Sequence, residues 1–112
     1  MKELIHIVYV SFAQKELSEK ELTGLLKEIR SKNAEQGVTG LLLYNDGAFI
    51  QVIEGSKEII NRVFKSISND QRHTNVVKLL EEPIVQRAFP DWTMGFRQIS
   101  DEQSASIPGF SD

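Results

Sequence analysis

A single glutamine interrupts an otherwise apolar strand pattern, and its chemistry demands a partner. Gln51 stands between Phe49 and Ile53 at a period of two, so a strand would point all three side chains to one face of a sheet. Its carboxamide carries two N–H donors and one acceptor oxygen, and burying it without partners costs about 1–3 kcal/mol. The pattern therefore predicts a polar contact for Gln51, either with a side chain, with a ligand or with the backbone.

Three further polar residues continue apolar patterns. Tyr9 alternates with isoleucines in 4–11, a stretch that is apolar on both faces and typical of a central strand. Asn33 lies four residues after Ile29 and extends the stripe of a helix, and Asp70 ends the stripe of a second helix. Each has an ordinary explanation too, because asparagine is common at helix C-termini and Asp70 could pair with a neighbouring arginine at the surface.

The periodicity predicts two helices and five strands. The first helix begins at the capping box of Ser18 and Glu21, and Ser56 is the expected N-cap of the second helix, 57–69. A short turn containing Gly47 joins the second and third strands into a hairpin. The predicted strands are 4–11, 38–44, 48–53, 75–80 (resuming beyond Pro83 over 84–89) and 91–99.

The order β-α-β-β-α-β-β favours an α+β fold, a ferredoxin-like sandwich. Its sheet would be mixed, mainly antiparallel and five-stranded, with two helices on one face. The four polar groups would then converge where the helices meet the sheet, and one ligand between the helices explains them better than four separate structural roles. The opposite face would present an apolar patch to a partner, in a homo-oligomer, through Val8, Val10, Ile50 and Val52.

Composition narrows the class of protein. The chain has 112 residues, which suits one domain, here predicted as 1–100 followed by a polar tail, 101–112, that could be a shortened cap. A net charge of −3 argues against nucleic acid as a partner. No apolar stretch of the sequence is long enough to span a membrane. The chain has no cysteine, which excludes disulfides, thiolate metal sites and any cofactor attached through cysteine, and fits a cytoplasmic protein. No metal site is expected.

An ordered set of motifs covering Leu4 to Ile99 resembles the BLUF family, blue-light sensors that use a flavin. No single motif is decisive, but their order along the chain is highly specific. The motifs are Tyr9 with Ser11, Asn33 before GVTGLLLY (37–44), FIQVIEG (49–55), DQRH (70–73) and FPDWTMGF (89–96).

The resemblance implies a non-covalent FAD whose ring system lies between the two helices, with FMN or riboflavin as alternatives. By position, Gln51 would contact flavin N5 and the C4 carbonyl, Tyr9 would hydrogen-bond to Gln51, and Asn33 would contact the pyrimidine edge. Trp92 and Met94, predicted to share a face of the last strand, would be the pair that shifts near the glutamine. Further expected cofactor contacts are Ser11, Arg30, Lys32, Asp70, Arg72 and His73.

The same resemblance implies a light response without catalytic turnover. Light would drive electron and proton transfer from Tyr9 to the flavin and rearrange the hydrogen bonds of Gln51, because an amide can rotate or take its imidic form. Stronger hydrogen bonding to the C4 carbonyl would shift the spectrum to the red, and the last strand would carry the signal to a partner or effector. Two positions depart from the family pattern: Lys32, where asparagine or histidine is usual, and Ser66, where a basic residue is frequent.

Two other functions compete with a light sensor. A flavin-free interaction module would work through the apolar sheet face alone. An acylphosphatase-like enzyme on the same fold would need an arginine within a loop of backbone N–H groups, and the loop 12–17 has neither arginine nor glycine.

Overall fold

The computed structural model describes residues 3–13, 17–70 and 73–98, and within these ranges the predicted order of elements is confirmed. The tail 101–112 and Arg72 lie outside the described residues, as does the side chain of His73. In chain order, the elements are β1 (Leu4–Ala13), α1 (Glu19–Gln36), β2 (Thr39–Asn45), β3 (Ala48–Ser56), α2 (Lys57–Ser68), β4 (His73–Pro83) and β5 (Gly95–Gln98).

The five strands form one mixed sheet in the order β4-β1-β3-β2-β5. Neighbouring strands are antiparallel except β2 and β5, which run parallel. Both helices cover the same face, because the buried core joins Leu22 and Leu26 of α1 and Ile60 of α2 to Ile7 and Ile53 of the sheet. The ferredoxin-like α+β arrangement predicted from the sequence is therefore confirmed.

The helix ends follow local chemistry. Glu21 N–H donates to Ser18 Oγ and Ser18 N–H donates to Glu21 Oε1, both at 3.1 Å, which completes the predicted capping box of α1. The helix ends at Gly37, whose φ of 70° is the left-handed conformation that glycine adopts without strain. Ser56 occupies the N-cap of α2 by position, but its side chain makes no capping hydrogen bond.

The chain after β4 differs from the prediction. Residues 84–89 do not resume the fourth strand, and the last strand begins at Gly95 rather than at residue 91. The reason is topological: β4 and β5 are opposite edges of the sheet, so the chain must leave the ladder at Pro83 and cross the ends of three strands. We call 84–94 the crossover segment; it contains Trp92 and Met94, which therefore precede β5.

Gly40 sits where β2 approaches two other parts of the chain. Its N–H donates to the carbonyl of Trp92 in the crossover segment at 3.0 Å. A Cβ at this position would overlap the main-chain carbonyl of Val52 on β3. Only glycine leaves room for both contacts.

The predicted outer patch is contiguous but unevenly covered. Val10 and Ile50 are 4% and 7% exposed and pack with the half-buried Val8, whereas Val77 and Leu80 of β4 are 50% and 40% exposed. The most accessible apolar part of this face is thus on the edge strand β4 rather than at its centre. No helix among the described residues has the length and apolar character needed to cross a membrane.

Candidate functional site

Gln51 and Tyr9 face each other at the centre of the sheet, on its helix-covered side. They are paired residues of β3 and β1, and both are buried, at 4% and 0% exposure. The Tyr9 hydroxyl donates a hydrogen bond to Oε1 of Gln51. The partner that the sequence required for the glutamine is thus another side chain, and the partner of the tyrosine is the glutamine.

The second end of the Gln51 amide has a weak partner. Its Nε2 lies 3.7 Å from Sδ of Met94, and a thioether sulfur is a poor hydrogen-bond acceptor. Met94 is buried at 2% exposure, whereas Trp92 is 51% exposed and stacks on Phe89 with ring centroids 5.7 Å apart. The prediction that Trp92 and Met94 share a face is wrong, because these residues lie in the crossover segment and do not follow strand alternation.

The last turns of α1 hold the segment that carries Met94. Asn33 is buried at 5% exposure, and its Nδ2 donates to the carbonyl of Thr93 at 2.6 Å. Nε of Arg30 donates to the carbonyl of Met94 at 2.8 Å. Arg30, predicted as a cofactor contact, thus lies on the side of α1 that faces Trp92 and Met94, away from the space between the helices.

A cleft of about 300 Å³ opens between α1 and α2 above this pair. Tyr9, Gln51 and Asn33 line it, and Lys32 and Asp70 from the predicted set line it as well. Its walls are apolar where the helices approach each other, through Leu25, Ile29, Val63 and Ile67. A planar aromatic ligand with a polar edge suits such a lining, because the walls bury its faces while the amides meet its heteroatoms.

Three polar residues of the cleft lining were not identified from the sequence: Glu28 and Gln36 of α1 and Arg62 of α2. Arg62 lies one helical turn before Ser66, the position at which the family frequently has a basic residue, and Ser66 lines the cleft as well. The three residues flank the apolar stripes of their helices, and the sequence pattern of a flanking residue is the same whether it faces solvent or a cleft. Ser11 is fully buried on β1 and does not belong to the cleft lining.

Burial determines the protonation state of Tyr9. Desolvation raises the pKa of its phenol well above the ordinary value, because the phenolate cannot be hydrated in the core. Tyr9 is therefore a neutral donor throughout the physiological range. A phenol that loses an electron becomes a strong acid, and Oε1 of Gln51 is the acceptor to which the proton of Tyr9 points.

Comparisons with known proteins agree with this geometry. The family model BLUF, sensors of blue light using FAD, matches residues 4–95. The photoactivated adenylate cyclase subunit beta of Euglena longa is 34% identical over 110 residues, which are 97% of this chain but only 13% of that protein. The chain belongs to the BLUF family, whose members are flavin-binding photoreceptors.

Solved structures give the same answer for the fold. BlrB, a BLUF protein in its dark state, superposes with a TM-score of 0.79 at 33% identity, covering 96% of this chain and 80% of that one. Klebsiella pneumoniae BlrP1 with FMN and cyclic diGMP superposes with a TM-score of 0.78 at 33% identity, covering 85% of this chain and 26% of that one. The similarity to the larger proteins is thus confined to a small part of their length.

Proposed function

We propose that this domain holds FAD non-covalently in the cleft between α1 and α2 and senses blue light through Tyr9 and Gln51. The observation that carries the proposal is the buried hydrogen bond from Tyr9 to Gln51 at the base of the cleft. The amide has one end committed to the tyrosine and the other against a weak acceptor. It can therefore offer hydrogen-bonding capacity to a ligand in the cleft.

The cleft residues account for the cofactor class. Its apolar walls suit the ring system, and Asn33 offers an amide for its polar edge. Lys32 and Arg62 supply positive charge on the two helices, so they are the side chains that would bind phosphates. Arg62, one turn before Ser66, supplies the basic group that the family often has at the later position. FAD is our first choice, with FMN and riboflavin as alternatives, and contacts from Asp70, Ser11, Arg72 and His73 remain predictions.

The switch lies in the hydrogen bonds of Gln51. Under blue light, a flavin held in the cleft would become an oxidant strong enough to take an electron from a nearby phenol. Tyr9 would release its proton along the bond to Gln51 as it loses the electron, and the return of both the electron and the proton would restore the neutral phenol at the end of the cycle. What differs afterwards is the amide, which rotates or passes through its imidic form and thereby exchanges its donor and acceptor ends.

Met94 is the first residue to respond to that exchange. With the acceptor oxygen turned toward its sulfur, the contact at 3.7 Å would lose its N–H donor. The carbonyls of Thr93 and Met94 accept hydrogen bonds from α1, and β5 begins directly after Met94. A shift of the Met94 side chain would therefore alter the start of β5. We propose that β5 passes the change to a partner protein or an attached effector, without catalytic turnover by this domain. A cytoplasmic location stays a prediction from the sequence.

The decisive experiment is the absorption spectrum before and after blue light. We expect a yellow protein whose flavin spectrum shifts reversibly to the red. Gln51→Leu should retain the flavin, because apolar burial dominates its binding, and should lose the shift. Gln36→Leu changes another glutamine of the cleft lining and is the matched control, for which we expect the shift to persist. A colourless wild-type protein, or a normal photocycle in Gln51→Leu, would refute the proposal.

The outer sheet face is our proposed contact surface for a second copy of the chain. Val8 and Val52 are half-buried neighbours on β1 and β3, and the exposed Val77 and Leu80 of β4 continue the same face. A patch of this kind favours association. We therefore place a homo-oligomer contact on this face, at the predicted set Val8, Val10, Ile50 and Val52 together with the more exposed Val77 and Leu80 beside it.

A charge within that face should separate the copies. Val52→Glu places a carboxylate beside Val8, so we expect monomers in sedimentation or light scattering where the wild-type protein is larger. Val85→Glu is the control, since Val85 is 98% exposed in the crossover segment and lies outside the sheet. Unchanged assembly in Val52→Glu would exclude this surface.

A further inference from the structure

Glu54 is a buried carboxylate on the side of β3 opposite to Gln51. The residue is 0% exposed, and a charged group at that depth needs hydrogen-bond donors for its oxygens. Its Oε1 accepts from Phe89 N–H and from the Thr39 hydroxyl, both at 2.8 Å, and its Oε2 accepts from Ala88 N–H at 2.9 Å. Two of these donors belong to the main chain of the crossover segment, which a single side chain of the sheet thus fixes in place.

Arg87 strengthens the same attachment from the other direction. Its Nη1 donates to the Thr39 hydroxyl at 2.8 Å and to the carbonyl of Glu54 at 3.1 Å, and its Nη2 donates to the carbonyl of Gly37 at 2.8 Å. A planar guanidinium that uses both ends in this way allows little reorientation. We refer to Glu54, Thr39 and Arg87 as the clasp; it ties the crossover segment to β2, to β3 and to the end of α1.

The clasp lies close along the chain to the residues of the light response. Only Pro90 and Asp91 separate Phe89 from Trp92, whose carbonyl accepts from Gly40 N–H at 3.0 Å. Proline fixes one of the few backbone torsions in this link, so the position of residue 89 restricts where residues 92–94 can lie. The Met94 side chain against Gln51 is therefore held from two sides, by α1 and by the clasp.

We propose that Glu54 is a positioning residue for the light response, because through the clasp it determines where Met94 lies relative to Gln51. The inference rests on the proposed function of Tyr9 and Gln51. Because residues 87–89 are fixed, a rearrangement at Gln51 displaces only the short stretch 92–94 and the start of β5. The rest of the crossover segment keeps its position. A carboxylate outside the cleft thereby influences the chemistry inside it.

The test is Glu54→Gln, which replaces one acceptor oxygen with an NH₂ group that faces another donor. We expect hydrogen exchange at the amides of Ala88 and Phe89 to accelerate about tenfold or more, the scale of one hydrogen bond to a charged group. The emission of Trp92, the single tryptophan, should shift because this ring stacks on Phe89. The rate of dark recovery from the red-shifted state should change by about tenfold. The reason is that a similar free energy no longer stabilises the position of Met94.

Two further variants separate positioning from general instability. Glu82→Gln makes the same change at an exposed glutamate paired with His6 on β1, and all three measurements should stay at wild-type values. Thr39→Val removes only the hydroxyl shared by Arg87 and Glu54, so it should move the measurements in the same direction by a smaller factor if Glu54→Gln fails to fold. Faster exchange with unchanged Trp92 emission and unchanged recovery would overturn the proposal, as would no change in any measurement.

The experiment distinguishes failure of the clasp from failure of the light response. Exchange and emission are measured in the dark and need no photochemistry. If the wild-type protein shows no red shift, the proposed function fails, and the Trp92 emission still decides whether the clasp positions 92–94. A shift in Glu54→Gln that is absent from Glu82→Gln supports the clasp, and equal emission in both overturns it.

Discussion

Gln51 and Glu54 stand three residues apart on one strand, and their surroundings differ in kind. Both are buried, but Gln51 has one side-chain bond to Tyr9 and a thioether at 3.7 Å, whereas both oxygens of Glu54 accept from strong donors. An amide with an incomplete set of partners can change its bonds at small cost. A carboxylate whose donors are fixed main-chain groups cannot. The strand thus carries a changeable group on one face and an anchor on the other.

The largest expected effect breaks the anchor. Glu54→Leu leaves two main-chain N–H groups unpaired in the interior, so we expect the free energy of unfolding to fall by about 3 kcal/mol or more. The double variant Tyr9→Phe with Gln51→Leu removes both partners of the other bond together, and we expect a change below about 1 kcal/mol. Urea unfolding followed by circular dichroism at equal flavin saturation measures both values. Equal losses in the two variants would show that the contrast between the faces is wrong.

A smaller effect is expected in how the free energy of unfolding depends on pH, through Tyr9. Burial raises the pKa of Tyr9, so the folded protein keeps the phenolic proton when the unfolded chain loses it. The contribution of Tyr9 to stability is complete below the ordinary phenol pKa of about 10 and declines above it by about 1.4 kcal/mol per pH unit. Comparing urea unfolding of wild type and Tyr9→Phe between pH 9 and about 11 isolates this slope. Parallel pH profiles would contradict it.

Elements with a repeating local pattern could be predicted from the sequence. Three such patterns each predict a local structure from a few neighbouring residues: the alternation in β1, the Ser18–Glu21 capping box and the hairpin turn at Gly47. The convergence of Tyr9, Gln51 and Asn33 followed from these patterns plus topology, and the structure brings all three to one cleft. Asp70 reaches the same cleft from the end of α2.

The crossover segment could not be predicted in this way. Its course depends on hydrogen bonds donated by Asn33 and Arg30 and accepted by Glu54. These residues are distant along the chain, so no local periodicity in the sequence indicates the contacts. The spacing of Trp92 and Met94 therefore predicted that they lie on one face of a strand. In the structure, Trp92 is exposed and Met94 is buried. Glu54 was overlooked for a related reason, since a glutamate near the end of a strand is ordinarily solvated.

The crowding at Gly40 has a consequence for how this domain can vary. One added methyl group there would press against the β3 backbone and, in relieving that overlap, draw the amide away from Trp92. The β2–β3 hairpin and the crossover segment therefore both depend on the absence of a side chain at Gly40. In a library of variants, we expect this site to admit no side chain at all, although it does not line the cleft between the helices.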